Sequence, residues 1–313
     1  MGKQDLRIVY MGTPEFVEYS LRVLVERGYN IVGVVTMPDK PSGRGKQIQC
    51  SAVKRYAESQ GLPVLQPEKL KDEQFLEQLR ALKADLQIVV AFRMLPEVVW
   101  SMPRLGTFNL HGSLLPQYRG AAPINWAIIN GDKETGVTTF FLKHEIDTGD
   151  MILQEKIEIG DDEDAGSVHD RLMVLGADVV CRTTDLIIEG NVKAVPQPVL
   201  PSDEMRPAPK IFTETCEIDF GKPANQVHDF VRGLSPHPAA WCELELGDEK
   251  RMVKLFKTSV SDMPAGDEQC GSMATDGKRY LRVRCSDRWL DILELQLPGK
   301  RRMATRDVLN GLR

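Results

Sequence analysis

The chain lacks several features that would each have pointed to a function class. Its six cysteines, at 50, 181, 216, 242, 270 and 285, form no Cys-x-x-Cys pair. Neither a zinc site nor a redox dithiol is therefore signalled, and scattered thiols of this kind fit a reducing, cytosolic setting. No apolar run is long enough to cross a membrane, so no membrane partner is expected. The opening MGKQDLRIVY has too short an apolar run for a signal peptide and no cleavage site, and reads as the start of a strand. Gly2 would suit N-myristoylation, but Leu6 breaks that pattern. Internal repeats and low-complexity tracts are absent. So is an excess of positive charge: 40 Lys and Arg stand against 45 Asp and Glu, a net of -5, which argues against a generally basic nucleic-acid binder. The charge is unevenly spread, at about -7 up to Met205 and about +2 beyond it.

What is present is ordinary for a globular protein. The 313 residues, 42% apolar and 27% charged, suit two domains with sizeable cores. Leu6 to Met11 is a short apolar run, and Gly12-Thr13-Pro14 breaks it. A helix is expected from Pro14 to about Arg27, then a second strand from Ile31 to Thr36. This βαβ opening raises the question of a dinucleotide cofactor. The G-x-G-x-x-G fingerprint is missing, however, and no acidic residue ends the second strand, which argues against nicotinamide binding. Further strands are expected at 62–65, 86–91, 107–111, 136–141 and 151–159, with helices at 51–60, 72–83, 121–129 and 167–189. The Pro-rich stretch 191–209 reads as a linker. Beyond it, a helix near 224–233 and five short strands between 240 and 297 suggest a small barrel, and a last helix starts at Thr305. Trp241 reads as core rather than as a base-stacking platform.

The stretch from Phe108 to Asp150 carries the chemistry. Asn109 and His111 are two apart, so on a strand their side chains share a face. Gly112 and the run Ser113-Leu114-Leu115-Pro116 follow, then Arg119-Gly120, and later Asp147-Thr148-Gly149-Asp150. An Asn amide can donate to a developing oxyanion. A His can move a proton or donate to that oxygen, because its unperturbed pKa lies near neutrality. An Asp can orient the imidazole and favour its charged form. By residue type alone the set is weak, since a lone His is more often a structural hydrogen-bonder.

The spacing is far more specific. Asn-x-His-x-Ser-Leu-Leu-Pro, then Arg-Gly, then Asp-Thr-Gly resembles the signature of the formyltransferase family that uses 10-formyltetrahydrofolate, matched here by Asn109, His111, Ser113, Leu114, Leu115, Pro116, Arg119, Gly120, Asp147, Thr148 and Gly149. The resemblance implies a Rossmann-like, open, mostly parallel α/β sheet over residues 1–189, a linker over 190–209 and a C-terminal OB-like β-barrel over 210–313. It also implies Asn109, His111 and Asp147 as the catalytic set, with no metal. The folate would rest against Ser113, Leu114, Leu115 and Pro116 and against the loop Phe92, Arg93, Met94, Leu95. In the family that loop usually reads aromatic-Gly, so Arg93 is a departure.

Three further stretches resemble the members that formylate methionine carried on initiator tRNA. They are the Gly-Arg-Gly-Lys insertion with Lys40, Arg44 and Lys46, the end of the linker at Ala208-Pro209-Lys210, and Pro298-Gly299 followed by Lys300, Arg301, Arg302 and Met303. Read without the resemblance, the loop is a short solvated basic turn, exposed because Pro38, Pro41, Gly43 and Gly45 oppose regular structure. With it, these cations would hold tRNA phosphates. Such members usually run a few residues further, which implies a trimmed C-terminus, and a monomer is expected. Three alternatives share parts of this pattern: a formyltransferase for a small amine or amino sugar, a formyltetrahydrofolate hydrolase, and a nucleotide-binding module whose barrel binds RNA without chemistry.

Overall fold

Ile8–Met11 is apolar at every position, as is most of Leu86–Val90, and such runs suit strands covered on both faces. In a computed structural model, which describes residues 2–13, 15–42, 47–246 and 249–311, both form central strands with every residue buried. The first half runs β1 (Ile8–Met11), α1 (Glu15–Glu26), β2 (Ile31–Val35), β3 (Lys40–Ser42), β4 (Gln47–Gln49), α2 (Ala52–Ser59), β5 (Val64–Leu65), α3 (Glu73–Ala81), β6 (Leu86–Val90), α4 (Glu97–Trp100) and β7 (Thr107–His111). Then come α5 (Pro123–Ile129), β8 (Glu134–Phe141), β9 (Met151–Glu158) and α6 (Ala165–Glu189). Helix starts are set by side chains: the Ser51 hydroxyl accepts the Lys54 amide and Asp72 accepts the Phe75 amide, each at 3.1 Å. Pro123 opens α5, where its missing N–H is not needed.

The seven-stranded sheet has the order β5-β2-β1-β6-β7-β8-β9. Pairing from β5 through β7 is parallel, and β7 to β8 is antiparallel. Strand order reverses between β1 and β6, so the loops leaving β1, β6 and β7 emerge around a switch point. Phe108 and Phe140 are fully buried within the sheet layers, each contributing about 2–3 kcal/mol by burial alone.

The rest of the chain forms α7 (Ala224–Leu234), β10 (Ala240–Leu246), β11 (Glu249–Pro264), β12 (Met273–Thr275), β13 (Leu281–Arg284), β14 (Arg288–Gln296), β15 (Met303–Ala304) and α8 (Thr305–Gly311). The strands make one antiparallel sheet, β10-β11-β14-β13-β12, with β15 added to β14. Register shifts at 255–258 and 260–264 of β11 bend it, giving a curled half-barrel. Its core holds Leu244, Val253, Leu255, Val283, Ile292 and Leu295, with α7 packed on it through Val227 and Val231. Trp241 packs against this core, and its indole N–H donates to the Thr213 carbonyl at 2.8 Å.

By contacts the chain divides into two compact units. One comprises Met1–Arg119, Gly136–Lys156 and Asp170–Arg206; the other Gly120–Thr135, Ile157–His169 and Pro207–Arg313. Residues 40–49, expected as a loop without regular structure, contain the β3–β4 ladder, with Pro41 opposite Ile48. Pro is tolerated because both strands of a two-stranded ribbon are edges. Pro14, Gly43, Arg44, Gly45 and Lys46 lie outside the described residues. No helix among the described residues is long and apolar enough to cross a membrane.

Candidate active site

Asn109 and His111 stand on one face of β7 at its carboxyl end. Asn109 is half-buried, and its side-chain amide makes no hydrogen bond among the described residues, so it is free to donate. His111 is 6% exposed. Its Nε2 lies 2.8 Å from the Tyr118 carbonyl oxygen, which can only accept, so Nε2 carries the hydrogen. The neutral ring then has its lone pair on Nδ1, 3.9 Å from Asp147 Oδ2. That separation is too long for a hydrogen bond and suits an ion pair once Nδ1 is protonated. Tyr118 presents its carbonyl from a left-handed backbone, φ 60°, and its own amide donates to the Arg206 carbonyl at 2.7 Å.

Asp147 also has a left-handed backbone, φ 53°, which Asp tolerates better than most residues. The turn is pinned at each residue from Asp147 to Asp150. The Thr148 hydroxyl donates to the Glu145 carbonyl at 3.0 Å. A Cβ on Gly149 would sit 1.6 Å from the Phe141 carbonyl oxygen, so no other residue fits there without a shift. Asp150 accepts from Lys143 Nζ at 2.8 Å, and its carbonyl accepts the Phe141 amide at 3.0 Å. The carbonyls of Asp147 and Gly149 both accept from Gln197 Nε2, at 2.7 and 2.9 Å.

Gln197 belongs to the Pro-rich stretch expected as a linker. That stretch is laid along the first unit: Met151 and Val195 exchange two backbone hydrogen bonds, and Gln117 holds both the Glu204 carbonyl and the Arg206 amide. Residue type gave no hint of Gln197, because its partners are about fifty residues away in sequence.

The segment after His111 is held from within. The Ser113 hydroxyl donates to the Gln117 carbonyl, and Thr138, opposite His111 on β8, donates to the Ser113 carbonyl, each at 2.7 Å. The same Thr138 hydroxyl accepts from the Leu115 amide and from Gln154, whose Nε2 also reaches the Leu115 carbonyl. Ser113, Leu115 and Pro116 are buried and Leu114 is half-buried, with Gly136 directly beneath it because a Cβ there would meet Leu114 Cδ2 at 2.5 Å.

The loop after β6 leaves the neighbouring parallel strand. Leu95 is buried in the core shared by Val9, Met11 and Val89, Phe92 packs at its edge, and Met94 is 70% exposed. Arg93 turns its guanidinium onto the carbonyls of Glu68, at 2.7 Å, and Pro67, and lies beside the Phe92 ring. Its Nε is buried without a partner among the described residues, and burial holds the guanidinium below the ordinary arginine value.

The expected RNA-facing cations are placed unevenly. Of Lys40 only the backbone, at the start of β3, is described, and Arg44 and Lys46 lie outside the described residues. Lys300, Arg301 and Arg302 are exposed between β14 and β15. Arg302 pairs with Glu294 at 2.5 Å and stacks on Phe256, 4.7 Å from its ring centre. No group of three or more His, Cys, Asp and Glu side chains among the described residues is placed to hold a metal ion.

Known proteins match both halves of the chain. A profile described as formyl transferase matches residues 6–184, and one described as formyl transferase, C-terminal domain, matches 210–313. The methionyl-tRNA formyltransferase of Bacteroides fragilis is 61% identical over 314 residues, covering 99% of this chain and 96% of that protein. That of Parabacteroides distasonis is 61% identical over 316 residues, covering 100% and 98%. Among solved structures, the sugar 3N-formyl transferase WlaRD, crystallised with dTDP and 5-N-formyl-THF, superposes with a TM-score of 0.67 at 17% identity, over 96% of this chain and 100% of that one. HypX from Aquifex aeolicus, in complex with tetrahydrofolic acid, gives 0.63 at 19% identity over 98% of this chain and 47% of its own. Those two likenesses show the fold, while the profiles and close relatives span both halves of the chain: it belongs to the formyl transferase family.

Proposed function

We propose that this formyltransferase moves the formyl group of 10-formyltetrahydrofolate onto the amino group of methionine esterified to initiator tRNA. The observation that carries this reading is identity of about 61% along the whole chain, second unit included, with proteins bearing the methionyl-tRNA formyltransferase name. Small-amine formyl transfer needs the same chemistry, but the sugar 3N-formyl transferase that superposes over 96% of this chain is only 17% identical to it.

The donor set fits a formyl-bearing folate. An uncommitted amide, an imidazole nitrogen with a lone pair and a carboxylate converge where β6 and β7 end, at the switch side of the sheet. Phe92, Met94 and Leu114 with the backbones of their loops would hold the co-substrate. Arg93 need not obstruct it, because its side chain is drawn to the Pro67 and Glu68 carbonyls. The co-substrate supplies an electrophilic formyl carbon, whose oxygen gains negative charge when an amine adds to it.

From this geometry the roles divide. Asn109 is the oxyanion donor, an interaction of the kind worth about 3–4 kcal/mol in the transition state. The Nε2 hydrogen of His111 is engaged by Tyr118, so Nδ1 is the atom that takes the proton lost by the amine. Asp147 faces Nδ1 and stabilises the imidazolium that results. The cations of residues 40–46 and of Lys300 and Arg301 would engage tRNA phosphates.

The test is a transfer assay with 10-formyltetrahydrofolate and a choice of acceptors: charged initiator tRNA, free small amines and amino-sugar nucleotides. Transfer to the charged tRNA should exceed the others by orders of magnitude in kcat/KM. Preferred transfer to a small amine, or release of formate without an acceptor, would overturn the reading.

A further inference from the structure

We infer that Gln197 is a positioning residue for the reaction, and that the Pro-rich segment carrying it is a working part of the active site. The inference rests on the reading of Asp147 given above. Gln197 is 9% exposed, and its amide uses both ends. Nε2 donates to the carbonyls of Asp147 and Gly149, while Oε1 accepts from Arg119 Nε at 3.1 Å and from a terminal guanidinium nitrogen at 2.6 Å. Two carbonyls on one side and a guanidinium on the other leave the amide only one orientation. A primary amide alone among side chains of this length offers two donors and an acceptor in that arrangement. Its flanking residues, Pro196 and Pro198, have fixed φ, which limits the freedom of the backbone beneath it.

The physical need is clear from Asp147. A left-handed backbone at a non-glycine residue is held only when its surroundings over-determine it. Gln197 grips the turn at the carbonyl of that residue and again two residues on, so it fixes the direction in which the Asp147 carboxylate leaves the chain. The carboxylate stands 3.9 Å from Nδ1, where a shift of about 1 Å would change the stabilisation of the imidazolium, and displacements of that size reduce rates by about a hundredfold. Arg119, from the Arg-Gly pair of the sequence signature, thereby acquires a purpose: it fixes the amide that fixes the turn.

Two substitutions separate positioning from bulk. Gln197→Met keeps the volume and loses every hydrogen bond. Gln197→Glu keeps an acceptor for Arg119 and turns a carboxylate oxygen on the two carbonyls. Each should lower kcat by roughly 10- to 100-fold, with KM for both substrates within about threefold and Tm lowered by no more than several degrees. Amide hydrogen exchange over residues 145–150 should accelerate in both. In an Asp147→Asn background the same substitutions should lower kcat no further, because their effect runs through that carboxylate. Unchanged exchange over 145–150, or an equal loss of kcat with and without Asp147, overturns the inference. Parent-like turnover of Asp147→Asn alone instead strikes the reading of the site, and the exchange result still decides whether Gln197 holds the turn.

Discussion

The two sheets bury their strands differently, and the difference sets what each leaves open to solvent. In the parallel sheet, β1 and β6 have no exposed position, so functional groups can reach substrate only at strand ends and in the turns beyond them. In the antiparallel sheet, β10 alternates buried and partly or fully exposed residues, leaving a face that carries charge. Around the first sheet's site, positions are fixed by buried hydrogen bonds between residues far apart in sequence. Around the second, several cations pair with nearby acids, as Lys250 does with Glu243 and Arg282 with Asp291. Loss of one group should therefore be severe at the strand ends and mild on the face.

The largest effect should fall on the strand-end groups. Asn109→Ala, His111→Ala and Asp147→Ala are each expected to lower kcat by at least about a hundredfold, with cooperative unfolding retained. Steady-state kinetics with charged tRNA checks this, and parent-like turnover in any one removes that residue from the mechanism.

Gly149→Ala should come next. The added methyl cannot share space with the Phe141 carbonyl, so β8 or the turn must move. A loss of kcat of roughly 10- to 100-fold is expected together with a Tm lowered by several degrees. An alanine enzyme with unchanged kcat and Tm would show that the turn is more yielding than its contacts suggest.

On the face, the comparison can be sharpened within three residues. Lys300 and Arg301 have no acidic partner within 4 Å among the described residues, whereas Arg302 is tied to Glu294 and Phe256. Replacing Lys300 and Arg301 together by Ala should weaken tRNA binding several-fold and flatten its salt dependence by roughly 1–2 in slope, with kcat little changed. Arg302→Ala should act mainly on stability, by about 1 kcal/mol or less, because its pair is partly exposed. Binding titrations at two salt concentrations and thermal unfolding distinguish them, and identical behaviour of all three would erase the distinction.

The smallest effect concerns the thiols. Burial pushes Cys242 and Cys285 up to about 12 and Cys181 to about 11, and raises Cys216 as well. A raised thiol pKa means less thiolate, so at pH 8 these four should resist iodoacetamide until the protein is unfolded. Exposed Cys270 and half-buried Cys50 should react. Mass spectrometry of the labelled native protein would reveal any buried thiol that is modified early, and with it a loosely packed region.

Much of this was legible in the sequence, for local reasons. The strand Thr107–His111 was readable to the residue, since alternation and the shared face of Asn109 and His111 need only neighbours. Helix starts at Ser51 and Asp72 were marked by their capping side chains. The β3–β4 ladder was obscured because Pro and Gly signal against strands, and α4, a single turn after Pro96, is too short for periodicity to register. The remainder was hidden by distance along the chain. Nothing in the letters Pro-Gln-Pro says that Gln197 meets Asp147, and nothing in Tyr118 says that its backbone carbonyl decides which nitrogen of His111 carries the hydrogen.

The tie between Gln197 and the Asp147 turn also has a consequence for the order in which the molecule becomes competent during synthesis. The last strand of the seven-stranded sheet ends at Glu158 and α6 at Glu189, so a nascent chain can have all seven strands and Asn109, His111 and Asp147 before residue 197 is made. At that stage the turn still lacks the amide that sets it. A chain that has emerged from the ribosome as far as residue 190 would carry a complete sheet without that tie, and eight or so further residues beyond the ribosome exit would bring the two together.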